Sequence, residues 1–238
     1  MTCFPGRPMR TLTLPLAALL CVAPVPGIPA AVPAATWQDS ATTRLEALAL
    51  LQTLNADLLS HDSATLTLDR WCAAHHLAEP PTVTAERVHD VDKPPTAAQR
   101  ELLHVSATEP IGYRRVRLHC GSHVLSEADN WYVPARLTAG MNQSLDHSDI
   151  AFGRAVQALH FQRHTLSATL LWLPLPTDWD MKAGATGAYS GTLRVPHFVL
   201  QHTAVLDLPD GTPISTVTES YTSEVLAFAE PEIGHHVR

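Results

Sequence analysis

The chain has no excess of basic residues: 16 Lys and Arg stand against 23 Asp and Glu, a net charge of −7. A surface that neutralises a phosphate backbone needs the opposite balance, which argues against a general nucleic-acid binder. No run of 18 or more apolar residues occurs beyond residue 40, so the body is not a bundle of membrane spans. There is no GxGxxG, no P-loop and no GxSxG, which leaves the dinucleotide, nucleotide and serine-hydrolase signatures without support. Cysteine is scarce, and none of Cys3, Cys21, Cys72 and Cys120 stands in a CxxC pair of the metal or redox kind. Charged residues reach only 16%, while the 45% hydrophobic content is ordinary for a globular chain and too high for a mostly disordered one.

What is there begins with a leader. Residues 1–34 carry Arg7 and Arg10 as their only charges, then a short apolar stretch from Leu14 to Val25, then small residues that include Ala31 and Ala34. A basic start, a short apolar middle and small residues at a cleavage point describe a secretory signal peptide, cut near Ala31 to Ala34. The mature chain of about 204 residues is then expected to be periplasmic or secreted, without a stable membrane span. Loss of two Arg leaves 14 basic against 23 acidic residues, a charge of −9. Cys72 and Cys120 remain, either as one disulfide or as two buried thiols.

The domain proper is expected over residues 35–229, with 230–238 as a flexible tail. Leu45, Leu48, Leu51, Leu54 and Leu58 recur at helical spacing and predict a helix over 38–60. Asp62 or Ser63 can cap a second helix running to about His75. From Tyr113 the period changes to two: Val116, Leu118 and Cys120 alternate with Arg115, Arg117 and His119. Strand-rich stretches follow over 124–137 and 165–173, separated by a helix expected over 149–159. Two long strands, 192–208 and 214–228, flank the turn Pro209-Asp210-Gly211-Thr212. Helices first and then an antiparallel meander predict a single α+β domain, with one sheet covered by helices.

Two charged residues fall inside strand patterns. Glu219 shares parity with Val217 and Tyr221, while Thr216, Thr218 and Ser220 point the other way. A carboxylate on the apolar side must be paired, protonated or functional. Arg136 closes the run Trp131-Tyr132-Val133-Pro134-Ala135-Arg136, and a guanidinium suits a fork onto a carboxylate. Both could instead form a plain cross-strand pair. Histidine gives no comparable signal: His119/His123 and His160/His164 have i,i+4 spacing, but each pair lies at a turn or a helix end with no third ligand nearby. Arg114, Arg115 and Arg117 read as the polar face of a strand.

Four segments, in order, resemble the chorismate pyruvate-lyases and their wider fold superfamily: Asp62-Ser63-Ala64-Thr65-Leu66, Arg115 to Thr138, Ile150-Ala151-Phe152-Gly153-Arg154, and Ser215-Thr216-Val217-Thr218-Glu219. The resemblance implies a chorismate-lyase-like fold with a sheet of about six antiparallel strands around a ligand cavity. It implies a lyase that eliminates pyruvate from chorismate, or from a related small carboxylic acid, to leave 4-hydroxybenzoate without metal or cofactor. Arg136 and Glu219 would then be the catalytic pair, with Arg136 also holding a substrate carboxylate. The backbone near Phe152 and Gly153 would add a donor, and Ala64 a cavity wall. The alternatives are a non-catalytic periplasmic binder of a small aromatic or carboxylic acid, and an envelope structural or interaction protein. The partner expected is a small acid, and the chain is expected to be a monomer.

Overall fold

The computed structural model describes residues 36–181 and 189–229, together with Met1. The expected leader, its cleavage site and the expected tail lie outside the described residues. Helix α1 spans Ala41–Leu59 and starts at Ser40, whose side chain accepts from the Thr43 N–H, the usual way of satisfying a free helix donor. Its buried stripe is Ala47, Leu51, Leu54 and Leu58, whereas Leu45 is exposed. Helix α2, Ala64–Ala74, is capped by Ser63, which accepts from the Leu66 N–H. A short α3, Ala97–Leu102, opens with a capping box between Thr96 and Gln99.

The strands are β1 (Val83–Val88), β2 (Gly112–Cys120), β3 (His123–Tyr132), β4 (Gln162–Leu170), β5 (Phe198–Asp207) and β6 (Pro213–Thr222). Among the described residues they form one antiparallel sheet in the order β1-β2-β3-β6-β5-β4. This is the α+β class and six-stranded antiparallel sheet expected from the sequence. Two three-stranded meanders meet at β3 and β6, where Ala128 lies opposite Glu219 and Asn130 opposite Val217. The β5–β6 hairpin turns at Asp210 and Gly211. Gly211 has φ +82°, a conformation that favours glycine, and Asp210 accepts from the Thr212 N–H.

The α1 and α2 stripes pack onto the sheet face that carries Val116, Leu118, Ala128, Ala204 and Val217. A second apolar cluster, around Tyr132, Leu145, Phe152, Phe161 and Ile214, lies beneath two further helices. These are α4, Ala139–His147, and α5, Phe152–Ala155. The opposite sheet face is a charged lattice: Arg115 bonds Glu127 at 2.7 Å, and Lys93 and the Tyr113 hydroxyl both reach Asp129 at 2.5 Å. One face packed and one face solvated is the common arrangement for an antiparallel sheet.

Several boundaries differ from expectation. The helix expected over 149–159 is one turn of α5 followed by a 3-10 turn at Gln157–Leu159. Strand β4 starts three residues earlier than expected, at Gln162. Strand β5 starts only at Phe198, because Leu193 and Thr192 pair instead with Trp37 and Gln38. Arg114 is not on the polar face with Arg115 and Arg117. It is 2% exposed and donates to the carbonyls of Ser148 and Ile150, holding the approach to α5.

Candidate functional site

On β6 the period-two alternation turns Val217, Glu219 and Tyr221 toward the helices, and all three are buried. Glu219 lies between Ala128 of β3 and His202 of β5. Its partner comes from the start of β4: Arg163 Nη2 donates to Glu219 Oε2 at 2.5 Å, and the Tyr221 hydroxyl donates to the same oxygen at 3.2 Å. The two charged side chains are only 3% and 8% exposed. Burial works against the Arg163 guanidinium, but the Glu219 and Tyr221 oxygens outweigh it, so its pKa is raised and it stays charged. Burial and the neighbouring carboxylate both push the Tyr221 hydroxyl well up. Burial presses His202 down to about 4, so its ring is neutral at pH 7. His202 Nε2 lies 2.8 Å from Asn55 Oδ1, which can only accept, so Nε2 carries the hydrogen. Nδ1 is then a buried acceptor without a partner among the described residues.

A pocket opens beside this pair, between the starts of α2 and α5 and the packed sheet face. Its polar wall includes Glu219, Arg163, Asn130, Ser63 and Thr65; Ala64, Phe152, Phe161, Val116 and Leu206 supply apolar wall. The free space is about 50 Å³. At roughly 10–15 Å³ for each water-sized occupant, that holds about four. Two buried polar atoms of the wall, Arg163 Nε and Asn130 Oδ1, have no hydrogen-bond partner among the described residues. Asn130 Nδ2 is engaged with Ser215 Oγ at 2.9 Å, so the amide has one end fixed. Gly153 lets α5 approach α2 closely: a Cβ there would lie 3.1 Å from Ser63 Oγ.

The sequence-expected site residues therefore divide. Glu219, Phe152, Gly153 and Ala64 line one pocket. Arg136 is not among its lining residues. It sits in a 3-10 turn, Pro134–Arg136, that takes the chain off the sheet after β3. Its guanidinium donates to the carbonyls of Leu103 at 2.6 Å, of His104 at 3.3 Å and of Pro213. Those bonds tie the end of α3 and the start of β6 to the end of β3, a structural task. The cation of the pocket is Arg163, which the sequence pattern left outside a strand. With β4 begun at Gln162, parity puts Arg163 on the same side as Thr165, opposite Leu206 and Ala204; that was the signal available. Asn130, within β3, went unmarked because a neutral residue in a strand stands out less than a charge.

Cys72 of α2 and Cys120 of β2 are joined as a disulfide, with Cα atoms 6.2 Å apart. His119 meets Glu86 at 2.8 Å and His123 meets Glu224 at 2.7 Å, so the two engage different carboxylates. His164 lies 3.5 Å from Asp207.

No family model matches the chain. It is 59% identical over 196 residues to the uncharacterized protein y4mC of Sinorhizobium fredii, which covers 82% of this chain and 83% of that one. The chain belongs to the same family as y4mC. Solved structures with some likeness are PhnF of Mycobacterium smegmatis, at 13% identity over 72% of this chain and 68% of that one with TM-score 0.44, and the effector domain of PhnF, at 12% over 65% and 90% with TM-score 0.40. A GntR-family transcriptional regulator from Bacillus cereus is 12% identical over 60% and 92%, with TM-score 0.37. The chain spans 61% of YydK from Bacillus subtilis. These findings correct the resemblance to the chorismate pyruvate-lyases. The structures named are of regulators and their domains, and the family the chain joins is that of y4mC. The displaced Arg136 agrees with the correction, since the lyase reading needed it beside Glu219.

Proposed function

We propose that this chain is a non-catalytic binding protein for a small hydroxy acid, held in the pocket beside Arg163 and Glu219. The observation that carries the reading is the pair of buried wall atoms without partners: Arg163 Nε is a donor and Asn130 Oδ1 an acceptor. Buried polar atoms left unpaired cost about 1–3 kcal/mol each, and a ligand that meets them recovers that cost. A carboxylate suits the donor side, because Arg163 stays charged and the first turn of α2 carries Ala64 and Thr65 into the wall with the positive end of a helix. A hydroxyl suits Asn130 Oδ1 and the carboxylate of Glu219. The space of about 50 Å³ fits a two- or three-carbon acid. Calorimetric titration of the purified chain with glycolate is expected to show one-site binding that is lost to glycolamide, its uncharged counterpart. Equal affinity for the two, or heat from neither, contradicts the reading.

The site of action we propose is the cell envelope. The joined Cys72 and Cys120 and the leader pattern in the sequence support it, since disulfides persist in oxidising compartments. Thiol trapping of fractionated cells should find the pair oxidised in chain recovered from the envelope. Reduced chain confined to the cytoplasmic fraction would overturn this.

A further inference from the structure

The two edges of the sheet differ in how their backbone is covered. On β1 the outward groups are taken by side chains: Asp69 Oδ1 accepts from the Val83 N–H at 2.6 Å, Arg154 donates to the Val83 carbonyl at 3.3 Å, and Asp149 Oδ1 accepts from the Arg87 N–H at 3.3 Å. On β4 such cover ends at Arg163, whose N–H donates to Asp62 Oδ1 at 2.9 Å. Further along, Thr169 lies opposite Gln201, and Leu171 donates to the Val199 carbonyl at 2.9 Å. By the alternation of an antiparallel ladder, Thr169 and Leu171 bond inward to β5, while Ala168 and Leu170 turn their N–H and C=O outward. Among the described residues no hydrogen bond meets those outward groups. An open row of this kind is a template for another strand.

The side chains around the open edge are apolar. Of the nine large apolar side chains that the described residues expose, five stand on β4 or in the segment just after it: Leu166, Leu171, Leu173, Trp179 and Met181. Apolar residues exposed singly are ordinary, but their concentration at one place marks a contact surface. From Thr165 to Thr177 the chain carries no charge, and over 165–181 its only charges are Asp178 and Asp180. Acidic residues beside Trp179 are repelled by an anionic lipid surface, and lipid offers no partner to open N–H and C=O groups. A strand does, and an uncharged strand can lie against its own copy without like charges meeting.

We infer that β4 pairs antiparallel with β4 of a second copy across a two-fold axis. Two six-stranded sheets then run on as one, and the chain is a dimer in place of the monomer expected from its sequence. The regular part of β4 lies between the bulge at Thr165–Ser167 and Leu171, after which Trp172 also donates to the Val199 carbonyl and the strand parts from β5. Its centre is Thr169. Thr169 therefore faces its own counterpart, and Ala168 exchanges hydrogen bonds with Leu170 of the second copy. Light scattering on the purified full chain at micromolar concentration is expected to give twice the 25.8 kDa of one chain. Thr169 is exposed, so Thr169→Lys and, separately, Thr169→Glu leave the fold intact, as circular dichroism should show, and set like charges against each other. Each variant should fall to the mass of one chain, and an equimolar mixture of the two should recover the doubled mass. A parent of single mass, variants that each keep the doubled mass, or a mixture that stays single overturns the pairing. A single-mass parent that floats with phosphatidylcholine vesicles overturns it in favour of a lipid contact.

Discussion

Arg163 and Glu219 form a buried ion pair beside the pocket. Each is desolvated, and each is compensated chiefly by the other. Arg163→Met leaves a buried carboxylate with only the Tyr221 hydroxyl, and loss of one partner of a buried pair costs about 3–5 kcal/mol. Urea denaturation should show that loss, and the double variant Arg163→Met/Glu219→Gln should lose less than the sum of the two single variants; additive losses would show that the pair is not coupled. His202 gives a second test, by pH. Its folded pKa of about 4 lies below the unfolded value of about 6.5. The unfolded chain thus binds the proton first as pH falls, so this contribution is full above pH 6.5 and is lost as pH drops toward 4. The size is on the order of 3 kcal/mol, and His202→Gln should flatten the slope of stability between pH 6.5 and 4. At this scale Glu219 was legible in the sequence, because a lone charge inside a period-two pattern has only two faces to choose from. Arg163 was not, because a strand's first residues carry little alternation. Arg136 lies off the pocket because the chain leaves the sheet after Tyr132, a break that Pro134 marks in the sequence.

Helix α2 is the element that makes the pocket. It supplies Ser63, Ala64 and Thr65 to the wall, and its other end is bonded through Cys72 to Cys120 of β2. The bridge closes a separation of 48 residues, which by chain entropy contributes about 4 kcal/mol. Reduction, or Cys72→Ala with Cys120→Ala, should lower unfolding stability by that order, as read by urea denaturation with and without reductant. An unchanged midpoint would mean that apolar packing alone holds α2 to the sheet. The start of α2 was legible because Ser63 announces it as a cap, whereas α1, expected from residue 38, begins at Ala41 after the cap Ser40. Helix α4 was not: Leu145 is its one buried residue, so it writes no apolar stripe. The end of β6 was also hidden, since Thr222 stops being strand by capping the next turn, accepting from the Glu224 N–H.

For the whole molecule, the hairpins β2–β3 and β5–β6 follow from short connections. The β3–β6 pairing that joins the meanders has no local signal, because its register is set by burial across strands far apart in sequence. That pairing puts Asn130 and Glu219 at one pocket, while β4 on the far edge brings Arg163 back to them. A small acid is expected to bind there and not at Arg136. The most direct measurement is the NMR spectrum of the labelled full chain during addition of glycolate. Saturable shifts are expected of the Arg163 Nε–H and of the Ala64, Thr65 and Gly153 amides, with the Arg136 Nε–H unmoved. Shifts centred on Arg136, or none at Arg163, would contradict it.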